Sequence, residues 1–129
     1  MKNIRTLLGL LLLAALASNA LAADQLVKLY ANGKLVNCQP AARVRAGVTY
    51  APLRAAGDAV GAHVTWEAKS RTAVVCSNNQ CVPIRASQGI NVEGSLLVPV
   101  RLLGEALGAK VTWDPAAQAV RVKSRARVQ

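Results

Sequence analysis

Apolar positions along the chain come in short alternating stretches separated by turn-forming residues. Residues 26–31 alternate and run into Asn32-Gly33, a two-residue hairpin signal, after which 34–37 returns. A polar stretch containing Pro40 follows, then a short strand over 48–51. The residue before Pro52 is biased to extended geometry and proline suits a first helical turn. Residues 52–60 are therefore predicted as a short helix, with Leu53, Ala56 and Val60 on its apolar face and Gly61 as its stop. Val64 and Trp66 alternate with Thr65 as in a half-buried strand, 67–71 is a turn, and 72–76 is another strand. The order then recurs: strand 81–84, short strand 96–98, helix 99–107 with Val100, Leu103 and Leu107 apolar, strand 110–113, a turn at Asp114-Pro115, and strand 119–123.

The recurrence is literal. At an ungapped offset of 47, Pro52/Pro99, Arg54/Arg101, Gly57/Gly104, Ala59/Ala106, Gly61/Gly108, Ala62/Ala109, Val64/Val111, Thr65/Thr112, Trp66/Trp113 and Val75/Val122 are identical. A fixed period speaks of architecture before function. Neither copy carries enough apolar surface to stand alone. The pattern predicts an α+β fold: one twisted antiparallel sheet wrapped around two short helices, built from tandem repeats at about 28–74 and 75–121 inside a single domain over 23–123.

The ends of the chain carry other signals. Lys2 and Arg5 precede an apolar run over 7–17, and Ala20-Leu21-Ala22 is a small-x-small cleavage pattern, so residues 1–22 read as a secretory signal peptide. The run is short for a membrane-spanning helix, and no later segment is long and apolar enough. A secreted, periplasmic or cell-surface location is expected. The remainder, about 107 residues, has no Phe, so its core must come from Val, Leu, Ala and the two Trp. The full chain is formally +10; without Lys2 and Arg5, fourteen basic residues face six acidic ones, a net +8. Basic residues thicken at Arg121, Lys123, Arg125 and Arg127, running into a basic tail over 124–129. Such a protein is drawn to anionic partners such as teichoic acid, lipopolysaccharide, acidic polysaccharide or released nucleic acid. The plainer reading is a solvated surface with a basic tail.

Three cysteines are an odd count for an exported protein. In Cys76-Ser-Asn-Asn-Gln-Cys81, Asn78-Asn79 suits a two-residue hairpin turn, which sets Ser77 against Gln80 and Cys76 against Cys81. Facing residues of a non-hydrogen-bonded pair lie roughly 4.5 Å apart at Cα, the short end of disulfide geometry. A Cys76–Cys81 bridge across the hairpin is predicted, with a minor entropic gain because the loop is small. Cys38 is left over as a free buried thiol, an intermolecular bridge, or a competitor for one of the other two. With His63 the only histidine and no second Cys/His pair nearby, no metal site is expected.

Asn32-Gly33-Lys34, then Thr49-Tyr50-Ala51-Pro52-Leu53-Arg54, then Gly61-Ala62-His63-Val64-Thr65-Trp66-Glu67, resemble the copper amine oxidase N-terminal-like domain, also called the stalk domain. The second copy matches better still, at Leu97-Val98-Pro99-Val100-Arg101, Glu105, Leu107-Gly108-Ala109, Val111 and Trp113-Asp114. The first copy departs mildly, with Ala51 for Val and Asp58 for Glu. The resemblance runs from about Leu26 to Lys123. It implies a small sheet wrapped around helix, found on bacterial exported proteins alone or as an appendage. In that family the oxidase chemistry belongs to a separate catalytic domain with three histidine copper ligands and a tyrosine-derived quinone. One histidine cannot supply three ligands, so amine oxidation does not carry over.

The repeated residues have scaffold readings beside functional ones. Arg54 and Arg101 lie four residues before Asp58 and Glu105, a spacing that permits a weak i,i+4 ion pair; bonding to this acid or to neighbouring carbonyls is the structural role, and a paired anion clamp the functional one. Trp66 and Trp113 share a strand face with Val64 and Val111, so core packing is expected, and a glycan-stacking site follows only if both are exposed. Gly57 and Gly104, inside the helices, read as close-packing points against the sheet, and His63 as solvent-facing. No catalytic triad, phosphate loop, cofactor site or metal cluster is discernible; Asp58, Glu67, Glu105 and Asp114 are explained as helix and turn residues. The expected function is an exported non-catalytic envelope module that binds or spaces, through an anionic envelope polymer met by the basic residues. The alternative is an assembly module acting on another envelope protein or itself, by sheet-edge pairing or a Cys38-linked dimer. A small glycan hydrolase using two of the carboxylates is the remaining reading. No specific nucleic acid is expected as a partner.

Overall fold

Two-residue turns with both residues at positive φ set the strand pairing. The computed structural model describes residues 23–125; the predicted leader over 1–22, and Arg127 with the rest of 126–129, lie outside the described residues. Asn32 (φ 50°) and Gly33 (φ 83°) join strands β2 (Lys28–Ala31) and β3 (Lys34–Leu35), which follow β1 (Gln25–Leu26). Ala46 (φ 51°) and Gly47 (φ 79°) join β4 (Arg43–Arg45) to β5 (Val48–Pro52). After helix α1 (Leu53–Ala59) and strand β6 (His63–Glu67), Asn78 and Asn79 join β7 (Thr72–Ser77) to β8 (Gln80–Arg85). A 3-10 turn at Ala86–Gln88 leads to β9 (Ile90–Val92), joined by Glu93 (φ 52°) and Gly94 (φ 82°) to β10 (Ser95–Pro99). Helix α2 (Val100–Leu107), β11 (Ala109–Asp114) and β12 (Ala119–Ser124) complete the chain. This turn geometry matches the right-handed twist of the strands it connects.

Strands β4 and β9 and the 3-10 turn were not expected from the sequence. Their turns read Ala-Gly and Glu-Gly, which lack the asparagine or aspartate that marks a type I′ turn. The single strand expected over 26–31 is broken into β1 and β2, which lie in different sheets, and the remaining elements lie within two residues of their predicted bounds.

The fold is α+β, but its strands divide among three sheets instead of one. The five-stranded sheet has the order β1-β4-β5-β10-β9, the four-stranded sheet β11-β12-β2-β3, and the three-stranded sheet β6-β7-β8. Each helix redirects the chain: β5 and β6 flank α1 and lie in different sheets, as do β10 and β11 around α2. The pairing is antiparallel except between β12 and β2, which run parallel from Ala119↔Lys28 to Val122↔Ala31.

Leu29, Leu53, Val75, Ile84, Val98, Leu103 and Val120 belong to one buried cluster drawn from all three sheets and both helices, and each is at most 2 % exposed. Helix α1 buries Leu53, Ala56 and Gly57; α2 buries Leu103, Ala106 and Leu107. The helical glycines are close-packing points, as expected. A Cβ on Gly57 would sit 2.9 Å from Val64 Cγ2, and one on Gly104 would sit 3.0 Å from Val111 Cγ2. A Cβ at either position would crowd the facing valine, so glycine permits this close approach of β6 or β11 to the helix, at a cost of roughly 1 kcal/mol in helix propensity.

Candidate functional site

The two tryptophans are not in the core. Trp66 is 45 % exposed and Trp113 43 % exposed, which corrects the expectation of burial. Their strand parity does follow the alternation: Val64 and Val111, two residues earlier, pack against the core. Two residues further along each strand, about 6.6 Å on, the indole is no longer enclosed by the core and stays open to water on one side. Trp66 lies on β6, at the edge of the three-stranded sheet, and Trp113 on β11, at the edge of the four-stranded sheet.

Each indole lines an open groove between its strand and its helix. The first groove, about 550 Å³, is lined by Leu53, Arg54, Asp58, Val64 and Trp66 among others; the second, about 460 Å³, has the counterpart of each, Val100, Arg101, Glu105, Val111 and Trp113, 47 residues on. Arg71 adds a second guanidinium to the first groove and Arg125 to the second, so each holds two arginines and one carboxylate. The first groove has further walls from Cys38 and from Asn91 and Gly94 of the β9–β10 hairpin. Arg125 had been singled out from the sequence; Arg71, in a turn, gave no signal there.

Among the described residues, neither Arg54–Asp58 nor Arg101–Glu105 forms an ion pair. Arg54 Nη1 instead donates to the carbonyl oxygen of Val64 at 3.2 Å, one of the neighbouring-carbonyl contacts expected of it. That bond occupies one of the five guanidinium N–H groups and ties the side chain to the strand beside Trp66. Asp58 and Glu105 line different grooves and so do not face a common bond.

A second feature is the outer face of the four-stranded sheet. The register sets Lys110 opposite Lys123, Thr112 opposite Arg121, and Arg121 opposite Tyr30. Lys28, two residues from Tyr30 along β2, is on the same face. Arg121 stacks its guanidinium 4.6 Å from the Tyr30 ring centroid and donates from Nε to Asp114 Oδ2 at 3.1 Å. Asp114 also accepts from the backbone of Ala116 and Ala117; the bond from Ala117, then that from Arg121, holds its carboxyl below the usual range. Arg121 is thus occupied, and Lys28, Lys110 and Lys123 supply the uncompensated charge. Lys28 and Lys110 were not singled out from the sequence, although the alternation in 110–113 and 119–123 places Lys110 and Lys123 on the same side.

The remaining candidates fall outside both features or at their margin. Cys76 and Cys81 form the predicted disulfide, directly opposite each other with Cα atoms 4.0 Å apart. His63 is exposed and faces Cys76 across β6 and β7. Cys38 is a free, half-buried thiol in the wall of the first groove, and burial pushes its pKa above the usual value. Among the described residues there is no group of three or more His, Cys, Asp or Glu able to hold a metal ion, and no helix long and apolar enough to cross a membrane.

Comparison with the curated proteins and with the solved structures finds no match. A family model does match, described as the copper amine oxidase N-terminal domain, over residues 30–90 and again over 76–129. The matches cover most of the chain and include both Arg/Trp sets, so the protein belongs to the copper amine oxidase N-terminal domain family.

Proposed function

We propose that this protein is an exported, non-catalytic module of the cell envelope, built as two copies of one unit, that holds an anionic envelope polymer on the outer face of its four-stranded sheet. The observation that carries this reading is the Lys110↔Lys123 pair. Directly opposed side chains on neighbouring strands stand about 5 Å apart at Cβ, where like charges destabilise the sheet. A bound anion removes that repulsion, and Lys28 adds a further positive charge on the same face, at the other end of the sheet opposite Ala119. The net +8 that remains without Lys2 and Arg5 adds a long-range attraction for polyanions. The separation of Asp58 from Glu105 argues against paired-carboxylate hydrolysis, and the half-buried Cys38 against a thiol-linked dimer.

The test is binding to isolated cell walls and to polyphosphate at rising salt, with the Lys110→Glu, Lys123→Glu double variant as comparison. The double variant replaces one like-charge pair by another, so fold stability is expected to stay level while the sign of the face inverts. Binding that weakens with salt and is lost in the double variant supports the reading. Salt-insensitive binding, or full binding by the double variant, refutes it.

A further inference from the structure

The geometry points to the twin grooves as two copies of one sugar-ring subsite, each taking a carboxylated sugar residue of a polysaccharide. This inference uses side chains separate from the lysine face and does not depend on it. The argument starts from the indoles. Trp66 and Trp113 are large apolar rings left 45 % and 43 % exposed, each on the outermost strand of its sheet. An isolated exposed tryptophan needs no explanation, but two at the same position of a recurring pattern do. An indole in such a groove offers a flat apolar face for the C–H face of a sugar ring, with an N–H donor at its edge.

The charges specify the ring. Each groove contains two guanidinium groups and one carboxylate, a net of one positive charge. Guanidinium is the side-chain group best matched to a carboxylate in two-point contact. Arg54, tethered to the Val64 carbonyl, keeps donors available beside Trp66. Asp58 and Glu105 can accept hydrogen bonds from sugar hydroxyls. Volumes of about 550 and 460 Å³ lie within the roughly 300–1,000 Å³ of small-molecule clefts, enough for individual sugar residues rather than a long segment. Two subsites on one module make polymer binding bivalent, which raises avidity without new contacts where the polymer reaches both.

The chain contains only two tryptophans, so its own fluorescence reads the grooves separately. Trp66→Phe leaves Trp113 as the sole indole, and Trp113→Phe leaves Trp66. The probe is polygalacturonate, with dextran (rings without carboxylates) and polyphosphate (charge without rings) as comparisons. Polygalacturonate is expected to shift the emission of both single-tryptophan proteins, while dextran and polyphosphate do not. Trp66→Ala with Trp113→Ala, and separately Arg54→Gln with Arg101→Gln, should each weaken polygalacturonate binding about ten-fold or more, whereas Lys110→Glu with Lys123→Glu should leave the emission shift in place. The inference is overturned if polygalacturonate shifts neither emission, if either control polymer shifts both equally, or if both groove double variants bind with unchanged affinity.

Discussion

Ala51 lies directly opposite Val98, the residue that occupies its own place 47 positions further along. On either side, Pro52 pairs with Leu97 and Tyr50 with Pro99, so a half-turn about the Ala51–Val98 pair exchanges the two strands. Both residues are fully buried. The pairing of β5 with β10 thus joins the two halves at a position where a residue meets its counterpart, one small and one large. Ala51→Val should cost about 1–3 kcal/mol by overpacking, and Val98→Ala about 1.5–3 kcal/mol by leaving a cavity. The double exchange restores the total volume across the pair and should recover most of that loss. Chemical denaturation of the four proteins checks this; strictly additive losses would mean that the two side chains do not share one packing site.

Asp24 fastens the first strand through charge. Its Oδ2 lies 2.7 Å from Arg45 Nη2 and 3.3 Å from Arg43 Nη1, both on β4, and the next residue begins β1. The hydrogen bond from Arg45, ahead of that from Arg43, lowers its pKa from 3.8 to about 2 despite an opposing effect of burial. The folded value lies below the unfolded one. The contribution is therefore complete above the unfolded value and is lost as pH falls through the folded one, between about pH 4 and pH 2. Protection of the β1 amides, their exchange rate relative to that of unstructured chain at the same pH, should fall across that window, and Asp24→Asn should show the lower protection already at neutral pH. Protection of β1 that stays constant across the window in the native protein would contradict the pairing.

Cys38 should behave as a slow thiol. Burial raises its pKa above 9.0, so little of the reactive thiolate is present at neutral pH. Alkylation of the folded protein is expected to be slower than in denaturant and to quicken as pH rises above 9. Non-reducing electrophoresis should show no disulfide-linked dimer, and Cys38→Ser should leave the native mass unchanged. A ligand in the first groove should slow alkylation further, since Cys38 forms part of its wall.

Much of the local structure was legible in the residue order, because it rests on near-neighbour chemistry. Asn32-Gly33 and Asn78-Asn79 specified two hairpins, and the second carried the Cys76–Cys81 bridge with it. Pro52 and Pro99 introduced the two helices, and the close approach of Gly57 to Val64 and of Gly104 to Val111 followed from glycine inside a helix. The hairpins at Ala46-Gly47 and Glu93-Gly94 are not legible in the residue order because their first turn residues reach positive φ without the usual asparagine or aspartate.

The grooves were only half legible. Arg54, Arg101, Trp66 and Trp113 could be named from their recurrence, and their faces from alternation. Whether an inward-facing indole is covered depends on how neighbouring elements pack over its strand, which is set between elements and not along the chain. The same holds for Arg54, which chose the carbonyl of Val64 over the carboxylate of Asp58 once α1 lay against β6.

By itself the sequence determined most of the elements, their 47-residue recurrence, the disulfide and the family, since each is written in short-range patterns of polarity, turn residues and identities. Only the tertiary structure decided that the strands form three sheets, that β12 returns parallel to β2, and that both tryptophans face water beside arginines. Those outcomes depend on which strands meet after each helix turns the chain and on which side chains the packed elements enclose.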